Sequence, residues 1–160
     1  MYHNESLVKW LLAHGADPNA AYWLGLPASQ FAQYAPLSMM KLLVDHGLRV
    51  QSTDSIVYAA IGHTNGEPER LEVVSYLLSL GAPINAWDCQ FCDWEKCMSM
   101  ISMKGGLTAL HHAAKAGNTD MAVLLLQAGA DKSRQAWNKK TALDLAMENG
   151  HEEMIALLRD

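Results

Sequence analysis

The sequence predicts an all-helical solenoid of stacked helix pairs, and three observations carry that expectation. Thr108-Ala-Leu-His-His-Ala-Ala114 returns as Thr141-Ala-Leu-Asp-Leu-Ala-Met147, with the two copies 33 positions apart. Gly117-Asn118 returns as Gly150-His151 at the same offset of 33. Between such marks the apolar residues recur at helical spacing, as in Leu7, Val8, Leu11 and Leu12, and the stripe closes on Gly15-Ala-Asp-Pro-Asn19. A fixed period of this size belongs to units that each form one helix pair and bury their apolar faces only against neighbours.

The repeated residues resemble the ankyrin repeat family, whose pattern is Thr-Pro-Leu-His-x-Ala, then a Gly, then a Leu-Leu-x-x-Gly-Ala-Asp ending. Thr108, Leu110, His111, Ala113, Gly117, Leu125, Leu126, Gly129, Ala130 and Asp131 fit it. The resemblance implies one ankyrin repeat domain over 1–160: helix-turn-helix units joined by β-hairpin loops, about four and a half in number. It also implies a generic task, binding another protein through the concave face and the hairpin tips.

Taken in order, residues 1–19 read as the second half of a unit. The first helix of that unit is missing, so Leu7, Val8 and Leu11 lack their usual cover. Either upstream residues or self-association through this N-terminal edge would supply it. A second unit spans 20–47, with a first helix from Pro27 to about Tyr34 and a second from Leu37 to His46 that turns Met39, Met40, Leu42 and Leu43 inward. A third spans 48–85, with helices at Ile56–Ile61 and Leu71–Leu80 separated by a polar insertion, Gly62 to Arg70, that reads as turn chemistry. The fourth unit, 86–134, carries a finger at 86–106 dense in aromatic and sulfur side chains, and the fifth runs over 135–160. Asn19 and Asn85 recur in the hairpins, where Asn suits turn geometry.

Composition narrows the partner. Half of the residues are hydrophobic, enough for a buried core, and the formal net charge is -5. An acidic chain without a basic run is a poor ligand for phosphate backbones or anionic membrane, so neither nucleic acid nor membrane is expected. No signal-peptide pattern or bilayer-length apolar run appears, and three cysteines crowded between Cys89 and Cys97 are unlike a secreted disulfide framework. A cytoplasmic or nuclear home with reduced thiols follows.

Candidate chemistry is sparse. In the family the His of the Thr-x-Leu-His motif hydrogen-bonds to the Thr and pins the helix start. The resemblance therefore gives His111 a structural role with Thr108, and Asp144 stands in for it in the last unit. His14 and His46 precede helix-ending glycines, where a partly positive imidazole suits the helix dipole. Cys89-x-x-Cys92 followed by Cys97 is the one metal-like spacing. It offers three of zinc's four ligands, with a redox pair and ordinary thiols as competing readings. No phosphate loop, nucleophile motif or HExxH occurs, so neither an enzyme nor a cofactor is expected and a catalytic solenoid ranks last.

Partner-binding residues follow from aromatic tips and from the family's variable positions. Trp23, Trp87 and Trp137 fall near equivalent hairpin places, and Trp94 lies in the finger. Tryptophan is common at interface centres, although each ring could also fold back on the neighbouring hairpin. Family positions that face a partner fall on Tyr22, Trp23, Gln33 and Tyr34, then on Thr53, Ile61 and Gly62. Further along they fall on Lys104, Lys115, Ala116, Trp137, Asn138, Lys140, Glu148 and Asn149.

Overall fold

The computed structural model describes residues 5–20, 35–50, 68–87, 106–136 and 138–159. Among them are seven helices and no strand: α1 Glu5–Ala13, α2 Leu37–Asp45, α3 Pro68–Ser79, α4 Ala109–Ala116, α5 Thr119–Gln127, α6 Ala142–Asn149 and α7 Glu152–Arg159. The solenoid expected from the repeats is present. The second helices of successive units stack in order, α2 on α3, α3 on α5 and α5 on α7, and α4 packs against α6 in the inner row. Each pair closes on itself through α4 with α5 and α6 with α7.

The core is continuous along this stack. Met39, Met40, Val73, Val74, Leu77, Leu125 and Met154 are wholly enclosed, and Ala109, Ala113, Ala114, Ala142 and Ala146 line the seam between the inner helices. Alanine there lets neighbouring helices approach, while each large buried side chain contributes about 2 kcal/mol of hydrophobic stabilisation. Leu42, expected inward, is only partly buried, beside the enclosed Met39, Met40 and Leu43 of the same helix.

One boundary differs from the sequence reading. Residues 68–70 belong to the opening turn of α3 rather than to a polar loop. Proline at a first helical position forfeits no hydrogen bond, and Glu69 complements the positive end of the helix dipole. Arg70 is 5% exposed, and its guanidinium donates to the Ala35 carbonyl across 2.8 Å, which ties the start of α3 to the entry of α2. Further along the same interface the Lys41 ammonium lies 5.7 Å from the Tyr76 ring centroid.

At the N-terminal side α1 buries Leu12 and rests Val8 against the core, but Leu7, Trp10 and Leu11 are exposed at 51%, 55% and 43%. Lys9 pairs with Glu5 one turn earlier at 2.7 Å. The imidazoles of His14 and His46 act as helix C-caps, with Nδ1 donating to the Trp10 carbonyl at 2.7 Å and the Leu42 carbonyl at 2.9 Å.

Candidate partner-binding face

The last two units show how the sequence fixes its own register. Thr108 and Thr141, both extended, precede α4 and α6. The Thr141 N–H and hydroxyl each donate to Asp144 Oδ2 at 2.8 Å, and Thr141 Oγ1 accepts from the Asp144 N–H. These bonds to the Thr141 backbone and side chain hold the Asp144 carboxyl below its usual range. In the earlier unit His111 takes the aspartate's place. Its Nδ1 accepts from the Thr108 N–H at 3.2 Å and lies 2.7 Å from Thr108 Oγ1.

That arrangement settles the tautomer. An N–H can only donate, so Nδ1 is unprotonated and Nε2 carries the hydrogen, which it donates to the Lys140 carbonyl at 3.2 Å. The same carbonyl accepts from the Ala136 N–H at 2.8 Å. Lys140 thereby closes a tight hairpin with Ala136 and fastens it to α4 of the preceding unit. Lys139 N–H bonds back to Ala136 at 2.8 Å, and Lys140 N–H donates to Asn138 Oδ1 at 3.1 Å. His111 is 1% exposed and both ring nitrogens are engaged, which suits a joint rather than a general base.

Further bonds join the units at their edges. His151 Nε2 donates to the Lys115 carbonyl at 3.1 Å, next to the end of α4. Asn85 Oδ1 accepts from the Asp131 N–H at 2.9 Å, and the Arg134 guanidinium donates to the Asn85 carbonyl at 2.9 Å while lying 4.8 Å over the Trp87 ring. Asn19 repeats the theme earlier in the chain, accepting from the Arg49 N–H and donating to the Gly47 carbonyl, both at 2.8 Å.

Of the residues singled out in the sequence, Trp87, Lys115, Ala116, Asn138, Lys140, Glu148 and Asn149 are described. Tyr22, Trp23, Gln33, Tyr34, Thr53, Ile61, Gly62, Trp94, Lys104 and Trp137, with Cys89, Cys92 and Cys97, lie outside the described residues. Trp87 is half-buried between Arg134 and His111, its ring 6.4 Å from the imidazole. Lys115 and Ala116 end α4 in the open, as Glu148 and Asn149 end α6. Lys140 reaches along α6 to form an ion pair with Glu148. Asn138 and Asn149 use their side chains locally, the first accepting from the Lys140 N–H and the second donating to the Leu145 carbonyl at 2.7 Å.

Sequence reasoning missed Arg134 and His151. For His151 a signal existed, since Asn118 in the equivalent place caps its own helix by accepting from the Met121 N–H at 3.0 Å, and histidine there breaks the repeat. Among the described residues no three or more His, Cys, Asp or Glu are grouped so as to hold a metal ion. None of the described helices is long and apolar enough to cross a membrane.

Residues 90–160 match the family model described as ankyrin repeats (3 copies). Over these residues the chain carries ankyrin repeats. It is similar to the human ankyrin repeat and SOCS box protein 6, at 34% identity over 132 residues, which cover 76% of this chain and 27% of that protein. It is also similar to the human ARF GTPase-activating protein GIT1, at 39% over 96 residues, 60% of this chain and 11% of that one. A third relative is the probable E3 ubiquitin-protein ligase XBOS34 of Oryza sativa subsp. japonica, 37% identical over 89 residues, 55% of this chain and 15% of the ligase. The chain thus spans between 11% and 27% of the length of these curated relatives. Ankyrin repeats are a non-catalytic scaffold, although these relatives are named for a ligase and a GTPase-activating protein.

Proposed function

We propose that the chain is a protein-interaction module that engages a partner polypeptide through the concave face of its inner helices and the adjoining hairpin tips. The observation that carries this reading is the division of labour along α4 and α6. Ala109, Leu110, Ala113 and Ala114 of α4, like Ala142, Leu145 and Ala146 of α6, are buried in the stack. Lys115, Ala116, Glu148 and Asn149 emerge in the last turns of the same helices and are exposed. A rigid backbone with locked caps presents these side chains at fixed spacing, which lowers the ordering cost of binding. Three described titratable groups of these units are engaged in joints: His111 holds a hairpin, His151 a helix end and Asp144 a cap.

The test is partner capture with a surface-matched control. The chain and a variant carrying Ala116→Arg and Asn149→Arg, two exposed changes in the last turns, are used as bait under identical conditions. The reading predicts at least one discrete protein retained by the first and lost by the second, with equal melting temperatures. Retention of the same proteins by both baits overturns it.

A further inference from the structure

We infer that the face built by the ends of α4 and α6 and the hairpin residues 138–140 receives an acidic segment of the partner, with its carboxylates on Lys115, Lys139 and Lys140. The inference rests on the protein-binding reading above and adds the chemistry of what is bound.

Charge is distributed unevenly in this acidic chain. Between residues 106 and 140 the described cations are Lys115, Lys132, Arg134, Lys139 and Lys140, and the carboxylates are Asp120 and Asp131 alone. Neither acid forms an ion pair with the lysines in question. Asp120 stands in the first turn of α5, and Asp131 Oδ1 accepts from the Ser133 N–H and hydroxyl at 2.9 and 2.6 Å. Arg134 is engaged with Trp87 and the Asn85 carbonyl. Lys115 and Lys139 are exposed and form no ion pair with a described carboxylate. Lys139 holds φ 63 in the hairpin, the one described residue other than glycine with positive φ, so the turn itself presents it.

Lys140 shows what the face accepts. Its ammonium already carries a carboxylate, that of Glu148, and the two side chains remain 38% and 48% exposed. Glu148 sits 33 positions after Lys115, at the same place on the next inner helix. An external carboxylate can replace it on Lys140, and Glu148 acts as an internal competitor. Neighbouring packed helices lie about 8–10 Å apart, which an extended segment of polyproline II type spans in about three residues, its period of three keeping every third side chain on one side. The fitting ligand is therefore an extended segment with acidic side chains about three residues apart. A nucleic acid fits less well, because phosphate-backbone affinity grows with the number of charges neutralised and this face offers three in a chain of net charge -5.

The experiment measures fluorescence anisotropy of a labelled extended peptide with Glu at every third position in a Gly/Ser background, its Gln counterpart, and a single-stranded DNA oligomer of equal length. The full chain should bind the Glu peptide, weaken at high salt, and ignore the Gln peptide. Lys115→Glu with Lys139→Glu should weaken binding by at least about tenfold. Glu148→Gln should tighten it by about two- to fivefold, the yield of releasing one exposed ion pair. Lys9→Gln on α1 should leave it unchanged. No binding of the Glu peptide, tighter binding of the DNA, or loss of affinity in Glu148→Gln each overturns the inference. Should protein capture depend on Ala116 and Asn149 while the Glu peptide fails to bind, the acidic chemistry falls alone; should both fail, the protein-binding reading falls with it.

Discussion

Gly117 and Gly150 offer a controlled comparison of backbone strain with a contact between units. Both end an inner helix with nearly the same left-handed backbone, φ 70 and φ 71. Giving either residue a Cβ costs about 1 kcal/mol in that region, partly offset by the lower entropy of the unfolded chain. At Gly150 nothing lies within 4 Å of the added atom, so Gly150→Ala should cost about 1 kcal/mol or less. At Gly117 the new Cβ would meet His151 Nδ1 at 2.6 Å, Cε1 at 2.8 Å and Cγ at 2.9 Å. The imidazole must swing away, and its hydrogen bond to the Lys115 carbonyl goes with it, a further loss of about 1 kcal/mol. Gly117→Ala should therefore destabilise by roughly 2 kcal/mol in urea titrations followed by circular dichroism. In a His151→Ala background the same substitution should fall to the Gly150→Ala level, since the obstructing ring is gone. Equal penalties at the two glycines, or a Gly117→Ala penalty indifferent to His151, would refute the placement of that ring.

Three further outcomes follow from the joints and caps. Gly129→Val, at φ 92 with open space around it, should cost about 1–2 kcal/mol through backbone strain alone, and an unchanged thermal melt would contradict the register. Asn85→Ala should cost about 1 kcal/mol and accelerate hydrogen exchange at the Asp131 amide, whose acceptor is removed, while leaving the α7 amides unaffected. Asp144 has its carboxyl pKa lowered by folding, so its stabilisation is complete above the ordinary value of 3.8 and drains away as the pH falls below it. Asp144→Asn should be less stable than the parent at neutral pH, and the gap should narrow in acid; a gap independent of pH would mean that the carboxylate is not the cap.

What was legible in the sequence is what the period of 33 repeats. Thr108 with His111 and Thr141 with Asp144 are local pairs three residues apart, and the resemblance to the ankyrin motif implied their bonds. Buried stripes such as Met39, Met40 and Leu43 follow equally from helical spacing. Contacts made across units carry no such mark. Arg134 reaches Asn85 and Trp87 from a position some way along the chain, and His151 meets Lys115 across the inner seam; neither pairing has a spacing rule. Arg70 misled for another reason, because Glu-Pro-Glu-Arg reads as a solvated turn until the Ala35 carbonyl is there to receive the guanidinium. On the proposed face, family positions pointed to Lys115, Lys140 and Glu148, but the ion pair that links Lys140 to Glu148 depends on a lysine laid along α6 from a hairpin held by His111.

Site-specific photo-crosslinking tests the proposed face most directly. A benzophenone side chain introduced at Ala116 or Asn149, in the last turns of α4 and α6, is compared with one at Asp120 or Glu153, in the first turns of the outer helices α5 and α7. All four positions are exposed, so each is open to a bound polypeptide. Adducts to a discrete partner protein from positions 116 and 149, and none from 120 and 153, are the predicted result. Adducts confined to the outer helices would place the partner on the opposite side of the stack and contradict the account.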